Sequence, residues 1–416
     1  MARGAARYDR ARVRSIGVRP PDVLLALSVA TAIAAAHLLY ARQGGDLTIQ
    51  SQLNERFAER PLDAAFEKYP RLRPPLYPMT LWLARRAGLQ APAFQVLVFD
   101  AMLVGLALYG RRFLRGVHPG FLVLGFAVAH FNHVNLHQRT AETLFAPLLL
   151  AFAVVLWRYQ VSARGAGWLG TVASALCLTR HFGLYLAVPL AAAHVVARRA
   201  TEPRRRLIHL ALVLVVALAP ISYWMWITHE QTGLWTGADR TSPRDLPESV
   251  DHWKDLTGVD DHLRLTAKTL MVDFFSPRVY AALAVVTLPY RPSAVEWALV
   301  AIGLVAGVSA FRAWRRSSSE AARASLPRMV AEVAAAYFGL TILLWTVGNN
   351  DPIHTRFLFP AYPLLWVLLF HAYDAVKGWS AAWWERLPWQ LMYAGFVAVQ
   401  VARSWRAEAL PVRYLW

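Results

Sequence analysis

Long apolar runs recur along almost the whole chain, separated by short polar gaps in which arginine dominates. A run of about 18 or more apolar residues is long enough to cross the hydrocarbon layer as a helix, and one of about 10 to 14 reads as a short, broken or re-entrant piece. Both kinds are present. Runs lie near 23–40, 93–110, 119–131, 143–157, 166–179, 183–197, 207–227, 295–311, 329–347, 357–373 and 388–402. They predict an all-α fold, a polytopic transmembrane helical bundle of about eleven spans. The run from Val279 to Leu288, bracketed by Pro277 and Pro289, is too short to cross alone and is expected to be interfacial or re-entrant.

Composition agrees with a membrane class and excludes two alternatives. At 56% hydrophobic and 17% charged residues, the 416-residue chain is too apolar to be a string of soluble domains. The formal charge of +18 would suit a nucleic-acid binder, but the basic residues fall in short clusters between apolar runs, which points to membrane topology and to no nucleic acid. The single cysteine, Cys177, sits in an apolar run, so neither an internal disulfide nor a cysteine metal framework exists. Six arginines crowd the first twenty residues, and the following apolar stretch ends at Tyr40-Ala41-Arg42 with no small-residue cleavage site. That pattern predicts a retained signal anchor.

Positive charge retained in alternate gaps sets the expected orientation. With the N-terminus cytoplasmic, the inside set holds Arg3 to Arg19, then Arg111, Arg112 and Arg115, then Arg158 and Arg164, then Arg198, Arg199 and Arg204 to Arg206. It continues with Arg312, Arg315, Arg316, Arg323 and Arg328, and ends with Lys377 and Arg386. The outer segments are then 42–92, 130–142, the turn at Arg180, 228–278 and 348–356, where arginine is mixed with Asp, Glu and His. Residues 1–416 read as one integral membrane module without internal repeat, with two long non-cytoplasmic loops, 42–92 and 228–278, as the natural seat of function.

The first outer loop opens with Gly44-Gly45-Asp46 and closes with Arg71-Leu72-Arg73-Pro74-Pro75-Leu76-Tyr77-Pro78. Between them, Gln50, Leu53, Phe57 and Ala58 have roughly helical spacing, which predicts a helix lying in the interface. Three further polar breaks fall on the same expected side: Thr140-Ala141-Glu142-Thr143-Leu144-Phe145, Leu178-Thr179-Arg180-His181-Phe182-Gly183, and Thr355-Arg356-Phe357-Leu358-Phe359-Pro360. An arginine at a membrane helix end suits a phosphate, through its planar fork, a lipid headgroup to which it snorkels, or a structural acid such as Asp351. The group His130, His133, His137 and Glu142 contains metal-ligating types, with His133 and His137 one helical turn apart. A metal site, a polar substrate lining and an ordinary interfacial turn all remain open for it. The seventeen tryptophans fall mostly near helix ends, as an interfacial belt requires.

These pieces, in this order, resemble the GT-C superfamily of polyprenyl-phosphate-dependent glycosyltransferases, in particular its protein-mannosyltransferase-like and aminoarabinose-transferase-like branch. The resemblance runs over most of residues 20–375. It implies a GT-C-like bundle with a long first outer loop carrying interfacial helices, set in the plasma (bacterial inner) membrane with its active site non-cytoplasmic. It also implies an inverting transfer of a monosaccharide from a polyprenyl-phosphate donor to a hydroxyl acceptor on a glycan, lipid or protein. By that likeness Asp46 is the catalytic base, Arg180 and Arg356 hold the donor phosphate with Arg73 as a third arm, and His133, His137, Glu142, His181 and His354 line the substrate. The family's second acid beside the base is replaced here by Leu47 and Thr48, so a divalent metal stays open as a cofactor and no other cofactor is expected. Two readings from other classes compete: a transporter or flippase for a lipid-linked solute, and a non-catalytic membrane partner in envelope biosynthesis. The transporter reading expects internal repeats and ionisable residues near the bilayer midplane, neither of which this sequence displays.

Overall fold

The computed structural model describes residues 20–41, 74–129, 131–132, 140–197, 202–232, 259–274, 305, 308, 326–348, 355–379 and 383–405. Among them no strand occurs, and the elements are α1 (Pro20–Ala41), α2 (Leu76–Arg86), α3 (Ala91–Phe113), α4 (Pro119–Ala127), α5 (Glu142–Arg158), α6 (Ala163–Thr179) and α7 (His181–Ala197). The chain continues with α8 (Pro203–Thr232), α9 (Val259–Phe274), α10 (Leu326–Gly348), the single turn α11 (Thr355–Leu358), a 3₁₀ turn (Phe359–Ala361), α12 (Tyr362–Trp379) and α13 (Trp383–Trp405). Among the described residues three stretches are long and apolar enough to cross a membrane, Ala91–Phe113, Pro203–Glu230 and Leu326–Leu344, and two shorter helices, Val23–Leu38 and His181–Ala197, are mainly apolar.

Every predicted run except 295–311 coincides with a described helix; that run lies outside the described residues apart from 305 and 308, as does Val279 to Leu288. The correspondence is loosest at 119–131, where α4 stops at Ala127 and Asn132 turns its amide back to donate to the Phe126 carbonyl. Nine residues rise only about 14 Å, so α4 does not cross by itself. The segment expected as the second long loop, 228–278, contains a described helix. Helix α9 lies within it and packs against α10 and α11.

Local chemistry sets where the elements begin and end. Helix α2 ends at Gly88, whose φ of 82° is the left-handed value that glycine adopts at least cost, with Leu89 N donating to Ala84 O at 2.9 Å in a Schellman-type closure. Pro92 and Pro119 sit in the first turns of α3 and α4, where a missing N–H costs nothing. The His118 ring accepts from Gly120 N at 3.1 Å, and Ser162 Oγ accepts from Gly165 N at 3.0 Å, capping α4 and α6.

Helix α5 stands at the centre, packing against α3, α6, α7, α10, the 3₁₀ turn and α12. On one flank α6, α7 and α8 pack together; on another α1, α3 and α4 do so, with α12 and α13 beside them. Phe145, Ala146, Leu149, Phe152, Ala153 and Leu156 place the buried face of α5 in one continuous apolar core. At one end of the bundle the C-terminal ends of α3, α5 and α12 meet. The Arg158 guanidinium lies 5.8 Å from the Phe113 ring, the backbone N–H groups of Arg115 and Gly116 donate to the Asp374 carboxylate, and Lys377 Nζ donates to Gly116 O. The beginnings of α3 and α5 and the turn leading into α12 therefore lie at the opposite end.

Candidate functional site

At that opposite end the breaks between helices meet. Residue 180 is the one extended residue between α6 and α7, with φ −150° and ψ 140°. Its N–H still donates to Leu176 O at 3.0 Å, and its carbonyl accepts from Gly183 N at 2.8 Å, so the break is a sharp, fully bonded corner. Gly183 makes the corner possible: a Cβ there would stand 2.4 Å from the backbone carbonyl of Leu176 and 2.7 Å from Cys177 N. The sequence Thr179-Arg180-His181-Phe182-Gly183 thus folds as a hinge-free elbow that presents Arg180 at the end of the bundle.

The guanidinium is ion-paired with Glu142, Nη1 to Oε1 at 3.2 Å, and its Cζ lies 6.0 Å from the Phe357 ring centroid. Glu142 is the first residue of α5 and is 1% exposed, whereas the Arg180 side chain retains 19% exposure. A carboxylate this deep depends on compensation by charge and hydrogen bonds. Three of the four breaks read from the sequence therefore converge: α5 contributes Glu142, the elbow contributes Arg180, and the turn at 355–361 contributes Phe357.

The fourth arrives through a buried hydrogen-bond chain. Tyr77 Oη donates to Gln95 Oε1 at 2.7 Å, and Gln95 Nε2 donates to Thr143 Oγ1 at 2.5 Å. Tyr77 belongs to the first turn of α2, within the Pro-Pro-Leu-Tyr-Pro segment, Gln95 to the first turns of α3, and Thr143 follows Glu142. All three are fully buried or nearly so. Burial, and after it the nearby Glu142 carboxylate, push the Tyr77 phenol well above the ordinary tyrosine range, so it remains a donor. A second tyrosine, Tyr337 of α10, donates to Phe357 O at 2.6 Å, with its ring 4.7 Å from Phe182 and 6.4 Å from Phe145.

Of the residues singled out in the sequence, Glu142, Arg180 and His181 are described, His181 as the half-buried first residue of α7. Arg356 lies in α11, next to Phe357, with only its backbone described. Asp46, Arg73, His133, His137 and His354 lie outside the described residues, as does the interfacial helix expected near Gln50. Among the described residues the acid that Arg180 meets is Glu142, at the start of α5; Asp351 lies outside them. Among the described residues no three His, Cys, Asp or Glu side chains gather as a metal site would require; His130, His133 and His137 lie outside them. Sequence reading passed over Gln95, Tyr337 and a pair formed by His37 and Asp100, whose Nε2 and Oδ1 lie 3.2 Å apart between α1 and α3. The available signal was the lone amide and the lone acid within the apolar helix Ala91–Phe113. Comparison with known proteins finds no matching family model, no matching curated protein and no matching solved structure.

Proposed function

We propose that the chain is a GT-C-like glycosyltransferase of the bacterial inner membrane, moving a monosaccharide from a polyprenyl-phosphate carrier to a hydroxyl acceptor on the non-cytoplasmic face. The observation that carries the reading is the meeting of Glu142, Arg180 and Phe357, with Tyr77 linked in through Gln95, at the end of the bundle opposite Arg115, Arg158 and Lys377. A multi-pass arrangement of about eleven spans, with the N-terminus cytoplasmic, puts the arginine-rich ends inside and this cluster outside.

In the proposed reaction Asp46 takes the proton of the acceptor hydroxyl as its oxygen attacks the anomeric carbon. The new bond to the acceptor forms while the bond from that carbon to the phosphate oxygen breaks, and polyprenyl phosphate leaves. Arg180, through its exposed edge, Arg356 and Arg73 stabilise the phosphate as it gains charge. His133, His137, His181 and His354 line the sugar and acceptor, and Glu142 holds Arg180.

Membranes containing the chain are expected to transfer radiolabelled sugar from a polyprenyl-phosphate donor, and Asp46→Asn at matched expression to lose that transfer. Full activity in the variant removes Asp46 from its role. Wild-type membranes that transfer no label from a panel of such donors overturn the reading. One observation favours a non-catalytic membrane partner instead: Arg180 already carries an ion pair, as a purely structural arginine would. The same panel separates the two.

A further inference from the structure

The first two residues of α5 are tied in different directions. Glu142 holds Arg180, whose cation rests on the Phe357 ring, while Thr143 holds Gln95 and through it Tyr77. A third tie reaches the same turn from α10, where Tyr337 Oη donates to the Phe357 carbonyl. Phe357 is therefore gripped on its ring by one helix elbow and on its backbone by another helix. The proposed chemistry makes no use of Gln95, Thr143 or Tyr337.

The segments held in this way are short or proline-rich. Residues 355–361 form one α-turn followed by a 3₁₀ turn containing Pro360, too short for an internal hydrogen-bond ladder to set their position. Tyr77 sits among Pro74, Pro75 and Pro78, which donate no backbone hydrogen bond. Side-chain ties from long helices fix where these two segments sit. The Tyr77–Gln95–Thr143 ties are buried and the Tyr337–Phe357 tie is part-buried, where hydrogen bonds are stronger than in water and fix one geometry.

We infer that Glu142, Thr143, Gln95 and Tyr337 are positioning residues, a hub at the start of α5 that sets the Arg356 turn and the turn following Arg73 relative to Arg180. This deepens the functional reading and rests on it for the ligand, a donor phosphate, that the three arginines meet. The mechanical linkage rests on the contacts alone.

The test uses the full chain in lipid nanodiscs with a cysteine placed at the turn by Arg356→Cys. The native thiol, Cys177, is fully buried and stays silent. Labelling by a water-soluble maleimide is timed with and without Tyr337→Phe or Glu142→Gln, and Trp226→Cys on exposed α8 serves as a control site. Both hub variants are expected to change the rate at position 356 about three- to tenfold, the span that loss of one buried tie supports, and to leave the rate at 226 unchanged. An unchanged rate at 356 in both variants, or an equal change at 226, overturns the hub whatever the transfer assay reports. In that assay, with Arg356 intact, Tyr337→Phe is expected to raise the donor KM by a similar factor while kcat stays within about twofold. A fall in kcat with KM unchanged overturns the positioning role. Absence of transfer by the wild-type chain overturns the functional reading and not the hub, which the labelling decides.

Discussion

Glu142 and Arg180 were each singled out in the sequence, for lining and for phosphate binding, and the fold joins them in one ion pair. Their separation along the chain hides the pairing, because it arises only when the α6–α7 elbow is folded onto the start of α5. At this depth the pair is a poor source of net stability and a severe liability when halved. Arg180→Gln alone, which removes the cation beside a carboxylate that is 1% exposed, is expected to cost about 3–5 kcal/mol. Glu142→Gln with Arg180→Gln together is expected to cost clearly less than the sum of the two single changes. A double-mutant cycle by thermal unfolding in detergent measures the coupling, and additive costs would mean the two side chains do not interact. Gln95 was legible in principle as the lone amide of an apolar helix, but its partners, Tyr77 and Thr143, come from two other elements and could not be read from its neighbours.

Among the elements, the α6–α7 elbow depends on one missing side chain. The turns on either side, Ala175-Leu176-Cys177-Leu178 and Leu184-Tyr185-Leu186-Ala187, hold no proline or glycine that would stop a continuous helix; the break is the extended Arg180, held because Gly183 lets α7 approach the Leu176 backbone. Gly183→Ala places a methyl 2.4 Å from that backbone, which neither helix can relieve by a rotamer change. The expected cost is about 1–3 kcal/mol or more, seen as a lower thermal midpoint. The displaced Arg180 should also lower sugar transfer beyond what the stability loss accounts for. A neutral Gly183→Ala would show that the helices have room to part. Helix boundaries elsewhere were largely readable, since proline in the first turns of α3 and α4 and glycine at the end of α2 each mark a terminus for a local reason. The short α4 was not readable: its apolar run continues past Ala127, and the stop comes from the Asn132 side chain folding back on Phe126.

For the molecule as a whole, the proposed orientation makes opposite ends of the same helices differ in access. Single cysteines in place of Arg112 and Arg164 are expected to react with an impermeant maleimide only after the cells are permeabilised, and Trp226→Cys in intact cells. The reverse pattern would invert the topology, and labelling of all three from outside would remove the multi-pass arrangement. The helical class, the positions of most helices and the four polar breaks were legible because hydrophobic length and charge alternation are local properties, fixed by the cost of exposing backbone and charge to hydrocarbon. Which breaks touch, which acid meets Arg180, and that a turn near Arg356 hangs from Tyr337 and Phe357 are decided by packing around α5. Those contacts join residues far apart in the chain, and no local pattern encodes a distance between them until the core has closed.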